Sequence, residues 1–322
     1  MKLLNIFLCT MIVCSFLWAQ QEEALAERIK QVSEGLLEGY TQPLITAFGT
    51  GISTGLFHSA YSHDLLGFDL GVRVMLIHIP GHAKYFSDTA LACSLGTGGL
   101  EYYDVPLDNM STIFGPEDST YVPTQSTGAV GIPTFVPGGF DLPAVPLVMP
   151  QLNVGLIMGS EIAIRYIPFT FEQSKIKFLG IGAKWELTRM PFFKPIPVAI
   201  AIGGAFQNFS IKDNLDQNIV SSKTGNLQVL VSKRIVVFEP TVGAGLEWTS
   251  VDFRYDFEYD IPDSISGVPY TVSVPVNVNI RAQNNYRVFA GFTLRLGFFY
   301  LHYDFNLLPY KTHNGIIGLT FR

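Results

Sequence analysis

In residues 66 to 76, Leu66, Phe68, Leu70, Val72, Val74 and Leu76 take alternate positions, with Asp69 and Arg73 among the residues between them. A period of 2 is the signature of a strand with two unlike faces, because a slip of one residue would exchange them. The same alternation returns in 152 to 166, where Leu152, Val154, Leu156, Met158, Ile162, Ile164 and Tyr166 oppose Asn153, Glu161 and Arg165. It returns again in 176 to 189, with Lys184 and Glu186 on the charged side, and in 198 to 208 and 227 to 233. The chain is 48% hydrophobic and 13% aromatic. Beyond its first nineteen residues, however, no stretch approaches the ~20 apolar residues of a spanning helix. Apolar residues at every second position reconcile these facts, and a closed barrel is the non-helical structure that satisfies every backbone group in lipid. A soluble β-sandwich shares the alternation, but the 15% charge content, the aromatics and the weak turn spacing oppose it. The net charge of −6 and the lack of a basic stripe argue against nucleic acid as a partner.

The ends of the chain agree with export. Residues 3 to 19 form an apolar run behind Lys2, with Leu17 and Ala19 placed as a cleavage site before Gln20, which predicts a cleaved secretory signal over 1–19. Cleavage removes Cys9 and Cys14 and leaves Cys93 alone, so no internal disulfide and no thiolate cluster is expected. At the other end the last strand finishes on Phe321 before Arg322, like the terminal signal read by outer-membrane assembly machinery.

Residues 20–62 are expected to form a helical hatch segment ahead of a barrel over 63–322. Leu25, Ile29, Val32, Leu36 and Leu37 suggest a helix over 22–38, and Pro43 suits the first turn of a second short helix through Phe48. Gly49, Gly51 and Gly55 in GTGISTG look at first like a phosphate loop. They follow a helix rather than open one, and no lysine accompanies them, which excludes that chemistry. The expectation is a flexible hinge, with Phe48, Leu56 and Phe57 as its apolar contacts.

Two long segments dominate the C-terminal half. Apolar residues hold even positions from Val272 to Leu296, which predicts one strand of that whole length. Its partner, 236–261, changes apolar parity near Thr249 and Ser250, where a bulge is expected. Together they predict a tall hairpin whose inward side carries Asp252, Arg254, Asp256, Glu258, Asp260 and Arg281. With Asp69, Arg73, Glu161, Arg165, Lys184, Glu186, Arg287 and Arg295, these are the expected lumen-facing charges. Counting strands gives an all-β transmembrane antiparallel barrel of about 12 strands, within a range of 10–14. The Pro- and Gly-rich stretch 96–149 is expected to fold into or over the lumen.

No catalytic site is expected. His302 and Asp304 share a parity, but no serine elbow accompanies them. His78 and His82 have zinc-like spacing, but Pro80-Gly81 between them forbids the helix such a pair needs. No metal and no cofactor is therefore expected.

The segments 150–156 (PQLNVGL), Gly159-Ser160-Glu161, Ile164 to Pro168 and Gly180 to Lys184, with Phe48-Gly49 and Gly67-Phe68-Asp69, resemble the ordered signposts of an exported barrel family described as a domain of unknown function. Its architecture is similar to that of the long-chain fatty-acid transporters of the outer membrane, whose N-terminal segment plugs the barrel. The resemblance implies no catalytic residues. It implies outer-membrane lipids and the assembly machinery as partners, a hydrophobic small-molecule ligand, and a passive channel for hydrophobic or amphipathic solutes. The alternative is a barrel that transports nothing and serves as scaffold, adhesin or envelope-integrity factor.

Overall fold

The computed structural model describes residues 35–96, 99–117, 120–122, 134–171, 174–190, 196–212, 218–261, 270–307 and 310–321. The expected signal over 1–19 and the first part of the expected helix over 22–38 lie outside them. One helix, α1 (35–53), precedes β1 (Phe68–His78), β2 (Tyr85–Gly96), β3 (Gly99–Ser111), β4 (Thr120–Val122), β5 (Thr134–Val136), β6 (Ala144–Gly155), β7 (Ser160–Phe171), β8 (Ser174–Glu186) and β9 (Ala199–Lys212). There follow β10 (Asn218–Ser232), β11 (Phe238–Ile261), β12 (Tyr270–Arg281), β13 (Tyr286–Leu296), β14 (Phe299–Asn306) and β15 (Thr312–Phe321).

Antiparallel pairing runs β10-β9-β8-β7-β6-β1-β15-β14-β13-β11, and β11 pairs back onto β10, so the sheet closes. Among the described residues the wall has ten strands, with β12 added outside it on the upper half of β11. The expected count of about 12 was too high, because β2, β3 and β5, counted as wall strands, pair only within the β2–β3 and β4–β5 hairpins, while β6 takes the free edge of β1 and 150–167, expected as one strand, is divided between β6 and β7. The stretch 96–149 contributes β3, the small β4–β5 hairpin and the first half of β6, and its residues around Ile113 and Phe114 pack over α1.

The outer face of the wall explains the alternation. Leu70, Val72, Val74, Tyr166, Ile181, Phe206, Leu227, Val242, Leu246 and Ile317 are all exposed there. An apolar surface continuous around a barrel is incompatible with water and fits lipid. Phe68, Phe298 and Phe321 stack at one end, with ring centroids 4.9 and 5.6 Å apart, as an aromatic girdle would. That end also carries the short turns after β6, β10 and β13, whereas the excursion 79–143 and the β11–β12 hairpin rise from the other.

The change of apolar parity in β11 proves to be no bulge. Its pairing with β10 runs without a shift from Thr241 to Phe253, and odd-numbered Glu239, Thr241, Glu247, Thr249 and Val251 are all buried. What changes is the surroundings. Below Ser250 the outside is apolar and exposed at Val242, Leu246 and Trp248. Above it the inner residues Val251 and Phe253 pack on Leu37 and Ile45 of α1, and Arg254 outside is exposed.

The predicted single strand from Thr271 is broken instead. β12 and β13 both pair with β11, but residues 247–249 face 282–285, one residue more, and the inward parity inverts across the break. Val278 and Ile280 point inward, whereas Val288 points outward. A bulge and a change of environment coincide, so the even positions stay apolar throughout. Arg254 and Arg281 consequently lie exposed on the outer side, not in the lumen, and Asp252 is half-buried with its carboxylate on Asn279 at 2.6 Å. The side chains of Asp256, Glu258 and Asp260 lie outside the described residues.

One seam is short. β6 and β7 pair only from Leu152 to Gly155, whereas β1 and β6 pair from Phe68 to His78. Extending the β6–β7 register would set Pro150 against Tyr166, Val148 against Pro168 and Pro146 against Thr170, all with backbone groups directed across the seam. Each pair contains a proline, so each keeps at most one of its two hydrogen bonds. Replacing Pro150 and Pro168 by valine should lengthen the seam, each restored bond adding about 0.5–1.5 kcal/mol. Thermal unfolding followed by heat-dependent gel mobility should then shift to a higher midpoint, and an unchanged or lower midpoint would show that the prolines do not limit pairing.

Candidate functional site: the sealed lumen

The interior of the barrel is filled by the chain itself. α1 is continuous from 35 to 53, so the expected break before Pro43 is absent, and Gly49 and Gly51 are helical rather than part of a loop. Pro43 withdraws one donor from the helix, a loss offset by burial of Ile45 and Ala47 and by packing of Leu44 and Phe48 against Met75, Ile77, Met149, Phe178 and Phe209. The glycines serve proximity to the wall. A Cβ on Gly49 would lie 2.4 Å from Thr249 Oγ1, and one on Gly51 would lie 3.0 Å from Leu147 Cδ2. Gly55, with φ of +67°, ends the helix in the left-handed conformation that glycine adopts at such caps.

A helix end leaves its last carbonyls without partners and carries partial negative charge. Here inward side chains of the wall meet both needs. Arg165 Nη1 donates to Ile52 O at 2.5 Å and Nη2 to Thr54 O at 2.8 Å. Gln207 donates to Ile52 O at 2.9 Å, Asn226 to Ser53 O at 3.1 Å, Arg73 Nε to Gly55 O at 2.7 Å and Gln151 to Leu56 O at 2.7 Å, while Arg287 also donates to Ser53 O. Three buried arginines thus converge on one helix terminus.

Below the helix, residues 56–63 descend as irregular chain with bends at Leu56, His58, Ala60 and Tyr61. Phe57 packs beside Gly182 and Gly203, and a Cβ on Gly203 would lie 2.9 Å from its ring. The His58 ring is buried and stacked on Tyr300 at 4.6 Å. Ser59 bonds Glu239, which also receives Arg234 and Arg295 at 3.0 Å each. Lys184 Nζ donates to Ser59 O and Tyr61 O at 3.0 Å and pairs with Glu161 at 3.2 Å; Ser62 N donates to Glu186 at 2.7 Å.

His63, Asp69 and Glu161 bring donor atoms within 4.8 Å of one another, the geometry of a small metal site. The neighbours fit a hydrogen-bonded latch better. His63 Nδ1 is 3.0 Å from Glu161 and Nε2 3.2 Å from Thr320, and a cation would have to displace the Lys184 ammonium from Glu161. His302 and Asp304 do meet, at 3.0 Å, but the other ring nitrogen of His302 is bound to Thr293 and the pair is buried beneath the segment.

Of the expected hatch residues, Phe48, Gly49 and Gly51 are helical, and Gly55, Leu56 and Phe57 form the turn beneath them. Asp69, Arg73, Glu161, Arg165, Lys184, Glu186 and Arg287 are buried inside, and Arg295 is half-buried at the lower end. The neutral donors Gln151, Gln207 and Asn226 were missed, although Gln151 shares the parity of Asn153, Glu161 and Arg165.

Together these features define a closed outer-membrane-type β-barrel whose lumen holds an N-terminal helix. The chain belongs to a family of unknown function, DUF6588, whose model matches residues 1–321. No curated protein matches it. Among solved structures it is similar to the translocator domain of autotransporter NalP from Neisseria meningitidis, with 10% identity over 96% of this chain and 98% of that one and a TM-score of 0.28. It is also similar to the Ralstonia pickettii toluene transporter TbuX, with 9% identity over 82% and 91% of the two chains and a TM-score of 0.23. At such scores the barrel assignment rests on the strand pairing itself.

Replacing Arg165 by methionine should leave the Thr54 carbonyl without its donor, while Ile52 O keeps Gln207, and cost about 1–3 kcal/mol for the buried acceptor left without a partner. Methionine at exposed Arg254 should cost less than about 0.5 kcal/mol. Chemical denaturation in detergent compares the two, and equal losses would refute the helix-end grip. Gly49→Val should loosen the segment more than Gly51→Ala, since only the first drives a side chain into Thr249. Limited proteolysis of the folded barrel reads that order.

Proposed function

We propose that the protein is an outer-membrane barrel sealed along its axis by its own N-terminal segment, acting as a structural component of the envelope. The observation that carries this reading is the contact pattern: inward side chains from all ten wall strands touch residues 45–63, nine by hydrogen bonds and β14 by the Tyr300–His58 stack. A water path along the axis would have to break that network. The exposed apolar band supports lipid as the surrounding partner.

A second reading keeps passive passage of hydrophobic or amphipathic solutes, with the segment moving aside. It is favoured by His58 and Gln228, whose side-chain nitrogen and oxygen atoms are buried with no hydrogen-bond partner among the described residues. Such groups weaken the seal where they lie.

Planar-bilayer recording separates the two readings. The intact protein should be silent, and Arg165→Met combined with Arg287→Met should open steps of current while heat-dependent mobility shows a folded barrel. Steady conductance by the unaltered protein would overturn the sealed reading in favour of the channel.

A further inference from the structure

The contacts of α1 fix the direction in which it runs through the barrel. At the start of the described helix, a Cβ on Gly35 would sit 2.7 Å from the Asp88 carboxylate of β2. Leu36 and Tyr40 pack with Phe86, Leu107 and Met110 of the β2–β3 hairpin. Leu37 and Ile45 pack with Val251, Val278 and Ile280 of the β11–β12 pair, and Gln42 donates to Arg281 O at 2.9 Å. All these partners belong to the end of the barrel with the tall hairpins.

The segment then descends. Ile52 to Leu56 are held at mid-wall, Ser59 and Tyr61 lie by Glu239 and Arg234 near the β10–β11 turn, and Ser62 Oγ donates to Gly159 O at 2.7 Å beside the β6–β7 turn. His63 reaches Thr320, next to the end of the last strand. The polypeptide therefore crosses the barrel from the tall-hairpin end to the short-turn end, and β1 carries it back. In outer-membrane barrels short turns face the periplasm and long connections face the exterior. A segment inserted from the periplasm would run the other way, with Gly35 beside the short turns.

We propose that the lumen is threaded from outside: α1 enters at the outer mouth, so that its start at Gly35 and Glu38 faces the cell exterior and the segment runs inward to His63 at the periplasmic end. This rests on the outer-membrane reading above but not on whether the barrel conducts. The grip at Ile52 to Leu56 then holds the helix against withdrawal through the outer mouth.

Single-cysteine variants labelled with a membrane-impermeant maleimide test this, in a background with Cys9, Cys14 and Cys93 replaced by alanine. Glu38→Cys reports the exposed start of α1, Arg281→Cys the tall-hairpin end, and Val236→Cys the β10–β11 turn, where Val236 is 88% exposed. Heat-dependent mobility verifies that each variant is folded. The expected result is equal labelling of Glu38→Cys and Arg281→Cys in intact and permeabilised cells, with Val236→Cys labelled only after permeabilisation. If Arg281→Cys labels in intact cells and Glu38→Cys only after permeabilisation, the threading proposal falls while the outer-membrane orientation stands. If Arg281→Cys itself needs permeabilisation, the orientation fails, and the proposal with it.

Discussion

The structure depends on the capture of one helix end. α1 stops at Ser53 with its last carbonyls pointing into a lumen that excludes most water, where an acceptor without a donor costs about 1–3 kcal/mol. Arg73, Arg165 and Arg287, with Gln151, Gln207 and Asn226, supply those donors from six different strands. The dependence is mutual. Three cations buried inside a barrel would be prohibitive alone, and the helix terminus gives them the partial negative charge and the carbonyl oxygens that make burial tolerable.

That exchange divides the interior into zones. Above the grip, the helix presents Leu44, Ala47, Phe48 and Ile52 to an apolar patch of β1, β6, β8 and β9. Below it, the irregular chain offers polar groups that only polar side chains can serve, so Lys184, Glu186, Glu239 and Thr320 line the lower wall. The lumen therefore changes from apolar to polar along its axis because the enclosed segment changes from helix to irregular chain. The outer face changes in the opposite sense on β11, from exposed Trp248 to exposed Arg254, where the apolar band ends.

Glycine placement follows from the same confinement. Gly49 lets the helix lie against Thr249 closer than a side chain allows, Gly51 sits tightly against Leu147 and Ile77, and Gly203 makes room for the Phe57 ring. The sequence shows these glycines plainly but not their partners. A run such as GTGISTG is compatible with a phosphate loop, a hinge or a tightly packed helix, and the contacts with Thr249 and Leu147 select the last.

Period-2 alternation was enough to mark the wall strands, their inward charges at Asp69, Arg73, Glu161, Arg165 and Lys184, and an all-β barrel, because each inference needs only the two faces of one strand. Two misjudged features were local in sequence but not in cause. The parity change in β11 reflects the end of the apolar band, and the unbroken apolar run through β12 and β13 hides a bulge that a simultaneous change of surroundings cancels. Strand count, the separate pairing of β2 with β3 and the continuity of α1 through Pro43 depend on which distant segments meet, and no periodicity encodes that. The sequence by itself determined that the chain must bury one face of many strands and offer the other to lipid. Only the tertiary structure decided what fills the enclosed space and in which direction it runs, because both are fixed by hydrogen bonds between residues more than a hundred positions apart, such as those from Arg165 to Ile52 and Thr54.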